Sequence, residues 1–325
     1  MATRRSVWSD DDVQRLAQRF VPVADEVSRL QRDQEPDCRF FQGFCEQGHY
    51  GGKTKPSNTR QGIYAVTPTG RFLASCNTRQ ATEVTAMLRK ALAKWDALRK
   101  HERSGAAAAL DPATARRFEQ LRPTDGLVLR VYSRDLPRQK VTEGWRGQAW
   151  NQDHAWFRRD EMLAMVPDAE VGAERPFPDE ALLRMARVHL VDNVRGQTMA
   201  HGPQHVVARR LVARTAALDG DVQSILFEGA VRIERTGTWA VRGYGPDSPQ
   251  RLGFDAQLLG AAKFDRRQQR FFAWRLLAVG MRHGATEFNG RTDDFGPAPM
   301  GVAFDLQPDD AAAVAPSMHW AYGWK

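Results

Sequence analysis

Three stretches of this chain hold residue types at spacings that can do chemistry. The first, RVHLVDNVRGQTMAHGPQH (187–205), gathers His189, Asp192, Asn193, Arg195, His201 and His205. Imidazole is the commonest side-chain ligand of transition metals, so His189, His201 and His205 suit Zn, Cu or Fe, or a haem. Gly202 and Pro203 lie between His201 and His205, which therefore meet through a turn and not along a helix. Arg195 is a candidate contact for a cofactor. His189 and Asp192 also suit catalytic acid–base work. On a continuous strand Asp192 would point away from His189, so the two converge only if the strand ends or bulges near Asn193. The plain alternative is a set of hydrogen-bonded polar groups at strand ends.

The second stretch is Trp150-Asn151-Gln152-Asp153-His154-Ala155-Trp156. His154 is a candidate catalytic base, provided that a group elsewhere, such as His189 or Asp192, serves it. Asp153 is its chain neighbour, and adjacent side chains diverge. Trp150 is a candidate to line a cofactor or apolar pocket, although tryptophans also simply fill cores. The third stretch holds Cys38, Cys45 and His49, with Cys76 further on. Cys45-x-x-x-His49 could set a thiolate and an imidazole on one metal. The alternative is cysteines acting as small buried hydrophobes among Phe40, Phe41, Phe44 and Tyr50. Three cysteines are an odd number, which argues against a secreted disulfide framework. His283, Glu287 and Arg291 could rim a pocket or form a solvated loop. There is no G-x-S-x-G, no G-x-x-x-x-G-K-[ST] and no dinucleotide fingerprint, so no nucleotide cofactor is expected.

The elements that position these groups follow from pattern. Ser9 with Asp10, Asp11 and Asp12 reads as a helix start, with Val13, Leu16 and Ala17 on one face. Phe20 to Ala24 reads as a short buried strand. Glycines and prolines make residues 34–60 a long irregular loop. Gly62–Val66 and Arg71–Ser75 form a hairpin around Thr67-Pro68-Thr69-Gly70. Residues 80–98 form a helix whose apolar stripe is Val84, Met87, Leu88, Ala91, Leu92 and Trp95. A connector over 101–125 separates this domain, 1–100, from a β-rich one, 126–325. Strands are expected at 126–136, 188–191, 205–218, 223–234, 251–264, 269–281 and 301–306. A turn is expected from Gly243 to Pro249 and an aromatic tail docks on the body. Period-two stretches joined by turns imply an antiparallel meander, a curved sheet or partial barrel.

Bulk properties narrow the classes. The 325 residues are 42% hydrophobic and 26% charged, with a net charge of +8. Lysine supplies only eight of the 47 basic residues, and the arginines are scattered. Nucleic-acid binding is open from charge but is not favoured, because an electrostatic footprint needs clustering. No apolar run approaches the about 20 residues that span a bilayer, and no secretory leader is visible. The expectation is a cytoplasmic protein without a membrane partner.

Residues 60–98, RQGIYAVTPTGRFLASCNTRQATEVTAMLRKALAKWDAL, resemble the closing half of a thioredoxin-like domain. Residues 9–98 as a whole resemble a divergent member that begins late, lacks the first strand and the C-x-x-C helix, and has Gln61-Gly62 where that family carries a cis-proline. The wider layout, with RVHLVDNVRG and PMGVAFDL, is similar to uncharacterised bacterial two-domain proteins. The fold class is thus α/β plus mainly β, a truncated thioredoxin-like domain followed by the meander. The leading functional expectation is a metal- or cofactor-binding protein, with redox activity as an option, its site in the β-rich domain. A non-catalytic module for an apolar ligand or a protein partner is the alternative. A metal-independent hydrolase using His154 or His189 is the third.

Overall fold

The computed structural model describes residues 7–25, 27–50, 59–78, 80–103, 118–137, 144–241, 244–292, 294–308, 311 and 314–324. They fall into two compact units that divide between Arg117 and Phe118.

The first unit holds helices α1 (Asp11–Ala17), α2 (Val27–Leu30), α3 (Pro36–Cys45), α4 (Ala81–Asp96) and α5 (Lys100–Arg103), with strands β1 (Ile63–Val66) and β2 (Phe72–Cys76). Asp10, not Ser9, caps α1; its carboxylate accepts from the N–H groups of Asp12 and Val13. β1 and β2 are the expected hairpin, closed by Gly70 N–H on Thr67 O at 2.9 Å. Gly70 has φ +83°, a conformation glycine adopts without strain. Val84, Met87, Leu88 and Ala91 of α4 are buried against Ala65, Leu73 and Ala74 of the hairpin. Two expectations fail. Phe20 to Ala24 form no strand, with Val21 and Val23 at 89% and 84% exposure. The loop over 34–60 contains a ten-residue helix, α3, entered through Pro36 at its first turn, where a missing N–H costs nothing. Residues 51–58 of that stretch lie outside the described residues.

The second unit contains β3 (Leu127–Asp135), α6 (Gly144–Gln148), β4 (Trp150–Phe157), α7 (Arg159–Ala164), β5 (Glu174–Pro176), α8 (Asp179–Val188), β6 (Val206–Asp219), β7 (Val222–Val241), β8 (Tyr244–Asp265), β9 (Arg270–His283) and β10 (Ala298–Leu306). The strands make one open antiparallel sheet in the order β4-β3-β10-β9-β8-β7-β6-β5. The meander β6 to β10 is therefore as expected. The expected turn over 243–249 is not: Tyr244 to Pro249 belong to β8, paired back on β7. The expected strand at 188–191 is absent, because α8 runs to Val188 and His189 is its C-cap residue.

Strand alternation sorts side chains onto two faces. One face carries Phe227, Phe254, Leu258, Trp274, Leu276, Val302 and Phe304, all buried, together with Leu182 and Met185 of α8. Two glycines on this face mark where neighbouring backbones crowd. A Cβ on Gly229 would sit 2.0 Å from Arg210 O, and one on Gly280 would sit 1.8 Å from Asp255 O. Only glycine allows that approach. The edge strand β4 is covered by the tail. Tyr322 hydroxyl accepts from Trp156 N–H at 3.1 Å, and Arg184 donates to Trp156 O at 3.3 Å. An edge so capped offers no template for further pairing.

Candidate functional site

Four features of the two units could carry function. The first is a buried array in the second unit. Asp153 points from β4 to the core face, and His189 ends α8 opposite it. Asp153 Oδ2 lies 3.7 Å from His189 Nδ1, and His189 Nε2 lies 2.7 Å from the Tyr322 hydroxyl. Tyr322 already accepts from Trp156 N–H, so its own proton is free to be donated to Nε2. Nδ1 of the same imidazole faces the carboxylate. Ser317 bonds both Asp153 oxygens at 2.8 Å, through N–H and hydroxyl. Burial pushes Asp153 up, but His189 and Ser317 outweigh it and hold the carboxyl below its usual range. Burial drives the Tyr322 phenol well above its usual range. Arg184 lies over the Tyr322 ring at 5.0 Å and the Trp324 ring at 5.3 Å, while its guanidinium grips Glu161 at 2.6 and 2.8 Å. This carboxylate–imidazole–phenol relay is hydrogen-bonded only between its last two members; the first two are in charge contact. It is also closed: Asp153, His189 and Tyr322 are all buried.

The second feature is a network of Asp135, Asp192 and Asp294 with Arg195, Arg282 and Arg291. Arg291 grips Asp192 (2.8 Å twice) and Asp135 (2.7 and 2.8 Å) and reaches Asp294 at 3.2 Å. Arg195 pairs with Asp135 at 2.8 Å and Asp294 at 3.0 Å. Arg282 also contacts Asp294 and lies 3.9 Å from Asp192. Three carboxylates meet three guanidiniums, so the cluster is neutral as a whole. Burial pushes Arg195 and Arg282 down, whereas the carboxylates around Arg291 hold it up despite burial. Backbone geometry closes the site. Gly196 runs so near Phe288 that a Cβ would meet its carbonyl at 2.1 Å, and Gln197 N–H bonds that same oxygen at 2.9 Å.

The third feature is the pair His201 and His205, with ring centroids 6.5 Å apart. Burial, then His205, Arg235 and Arg187, push His201 down to about 4. Burial and Arg235 push His205 down as well. Both rings are neutral at pH 7, as ligation requires. The neighbouring guanidiniums oppose a dication, and among the described residues these imidazoles join no group of three ligands.

The fourth feature is the outer face of the sheet. Leu259 pairs with Leu277 across β8 and β9, and Leu277 with Ala303 of β10. Val279 pairs with Gly301 and Met281 with Pro299. Their exposures are 61% for Leu259, 42% for Leu277, 46% for Val279 and 40% for Met281, with Leu226 of β7 at 41%.

The expected site residues therefore separate. His189 faces Asp153 and Tyr322, not Asp192, because it ends a helix and does not start a strand. Asp192 and Arg195 lie in the ion network, where their charged groups are already engaged. Alternation sends His154 to the opposite face from Asp153, in register with Arg130. Trp150 is half-buried, its ring 6.2 Å from Tyr132. Glu287 is exposed while Arg291 is fully buried.

In the first unit, Cys38 and Cys45 are buried and Cys76 partly so, and burial pushes all three thiols up. Raised thiols are poor nucleophiles. His49 has both ring nitrogens engaged, Nδ1 with Ser75 Oγ at 2.8 Å and Nε2 with Gln61 O at 3.0 Å. Since a carbonyl only accepts, Nε2 carries the proton and the ring has no lone pair left for a metal. Among the described residues, the one group of three metal-type ligands is Glu35, Asp37 and Cys38. Arg29 already fills it, bonding Glu35 at 2.7 Å, Asp37 at 2.6 Å and Cys38 Sγ at 3.2 Å.

Sequence pattern missed Tyr322, Asp135, Arg282 and Asp294, and considered Asp153 only beside His154. Their partners lie up to 166 positions away, and local periodicity carries no signal for such pairings. Comparison with protein-family models, curated proteins and solved structures finds no match for this chain.

Proposed function

We propose that the second unit is a protein-binding module whose partner docks on the outer face of the large sheet. The observation that carries this is the contiguous apolar surface of Leu226, Leu259, Leu277, Val279 and Met281 on a sheet whose other face is fully packed. Leu277, Val279 and Met281 follow one another on the outer side of β9 and Leu259 lies opposite Leu277, so they form one apolar stripe and not scattered exposed leucines, and such a stripe suits an interaction site. A small apolar ligand is disfavoured, since such ligands need a concave pocket and the inner face is filled by side chains. Between the strand ends of the same face, Arg130, Arg134, Arg210, Arg214, Arg232, Lys263 and Arg275 outnumber Glu228, Glu234, Asp255 and Asp305. The partner fitting this face has an apolar centre and an acidic margin. A second copy would set like charges together.

The relay and the ion network support this reading as its scaffold, since they lock the tail and the connections that frame the sheet. A metal at His201 and His205 would have two imidazoles, no third ligand among the described residues, and Arg187 and Arg235 beside it. On the present reading, a chelator or added Zn²⁺ leaves the melting temperature unchanged, because only a bound ligand stabilises the native state. The thioredoxin-like character of the first unit is likewise a proposal; the hairpin followed by α4 supports it.

The test is co-purification from the producing cell with a double variant, Leu259→Glu with Val279→Glu. Loss of a defined partner in that variant, and its retention with Arg266→Glu in the β8–β9 turn, is the expected result. Equal recovery with all three proteins would refute the docking face.

A further inference from the structure

We propose that the open edge of β2 in the first unit is a second binding site, which takes an acidic segment in extended conformation as an added strand. This goes beyond the outer-face reading and rests on different residues. β2 has β1 on one side and, among the described residues, no strand on the other. A cleft of about 350 Å³ runs there, lined by Phe72 to Ser75 with Met87, Lys90 and Lys94 of α4 and His49. Successive strand residues point to opposite faces. The cleft has α4, packed on Ala65, Leu73 and Ala74, as one wall and His49, bonded to Ser75, as the other, so it follows the edge of β2 between them, where N–H and C=O groups are presented. A strand edge beside a helix is the arrangement that captures extended peptides through main-chain bonds.

Charge sets the class of peptide. Lys90 and Lys94 are exposed and one turn apart on the wall of the cleft, with Lys94 Nζ 5.8 Å from the Phe72 ring centroid. Among the described residues, no carboxylate lines the cleft. Alternate side chains of an added strand would point toward α4, where glutamate or aspartate meets the two ammonium groups. The strand of a second copy would bring its own lysines to the same place, and like charges disfavour that pairing.

The full chain is titrated by fluorescence anisotropy with three labelled peptides of about seven residues, a length typical of a strand. One alternates valine with glutamate, one alternates valine with lysine, and one is the valine–glutamate peptide N-methylated at every second residue, in both registers. Saturable binding of the valine–glutamate peptide is expected. It should weaken at least about tenfold in Lys90→Glu/Lys94→Glu and in one N-methylated register, with no binding of the lysine peptide. The Leu259→Glu/Val279→Glu variant should bind the peptide as the parent does, so failure here and failure of the outer face are distinguishable. No saturable binding, equal binding by the lysine-reversed variant, or equal binding in both N-methylated registers would each overturn the proposal. Concentration-dependent dimers that the same lysine reversal abolishes would overturn it too, assigning the edge to a second copy.

Discussion

Tyr322 shows how one hydroxyl can hold distant parts together. Its oxygen serves His189 at the end of α8 and Trp156 on the sheet edge. Tyr322→Phe keeps the ring and its packing but leaves both groups buried without a partner. That should cost about 1–3 kcal/mol in urea unfolding; a change below about 0.5 kcal/mol would mean that the relay contributes little. His201 makes a sign-specific prediction. Its folded value, about 4, lies below the ordinary 6.5, so the unfolded chain binds more protons between these limits. Stability from this group is full above pH 6.5 and is lost as pH falls toward 4, by up to about 1.4 kcal/mol per unit. His201→Gln should flatten the slope of unfolding free energy over that window, whatever it does to stability at pH 7. An unchanged slope would contradict the burial-driven shift.

At the level of elements, the ion network joins the end of β3, the turn after α8, the end of β9 and the β9–β10 connection through Asp135, Asp192, Arg282, Arg291 and Asp294. Removing one member of a buried pair leaves an uncompensated charge. Arg291→Met should therefore cost about 3–5 kcal/mol in chemical denaturation; an unaltered midpoint would show that the carboxylates find other partners. How much of this was legible depended on range. The stripe of α4 and the meander strands were readable because burial repeats at a local period. Phe20 to Ala24 resemble a strand because apolar residues adjoin there, yet among the described residues no strand pairs with them. His189 was read as a strand residue because Val188, Leu190 and Val191 are β-formers, but α8 continues from Asp179 and tertiary packing overrides that preference. The metal expectation arose from counting histidines; the fold sends His189 to Tyr322, leaving His201 and His205 as a pair.

Considered as a whole, the second unit is an open sheet with one face packed as its core and an apolar stripe among charged residues on the other. The residues of that outer face make few demands on stability. Leu259→Glu with Val279→Glu should unfold within about 0.5 kcal/mol of the parent, as surface substitutions do; a large loss would show that the face is a structural surface. The most direct measurement of the account is photo-crosslinking in the producing cell, with a crosslinking residue at position 277 and a control at position 266. The account predicts one defined protein adduct from 277, absent from 266 and abolished by Val279→Glu. No adduct from 277, the same adducts from both positions, or a dimer of this chain alone would contradict it.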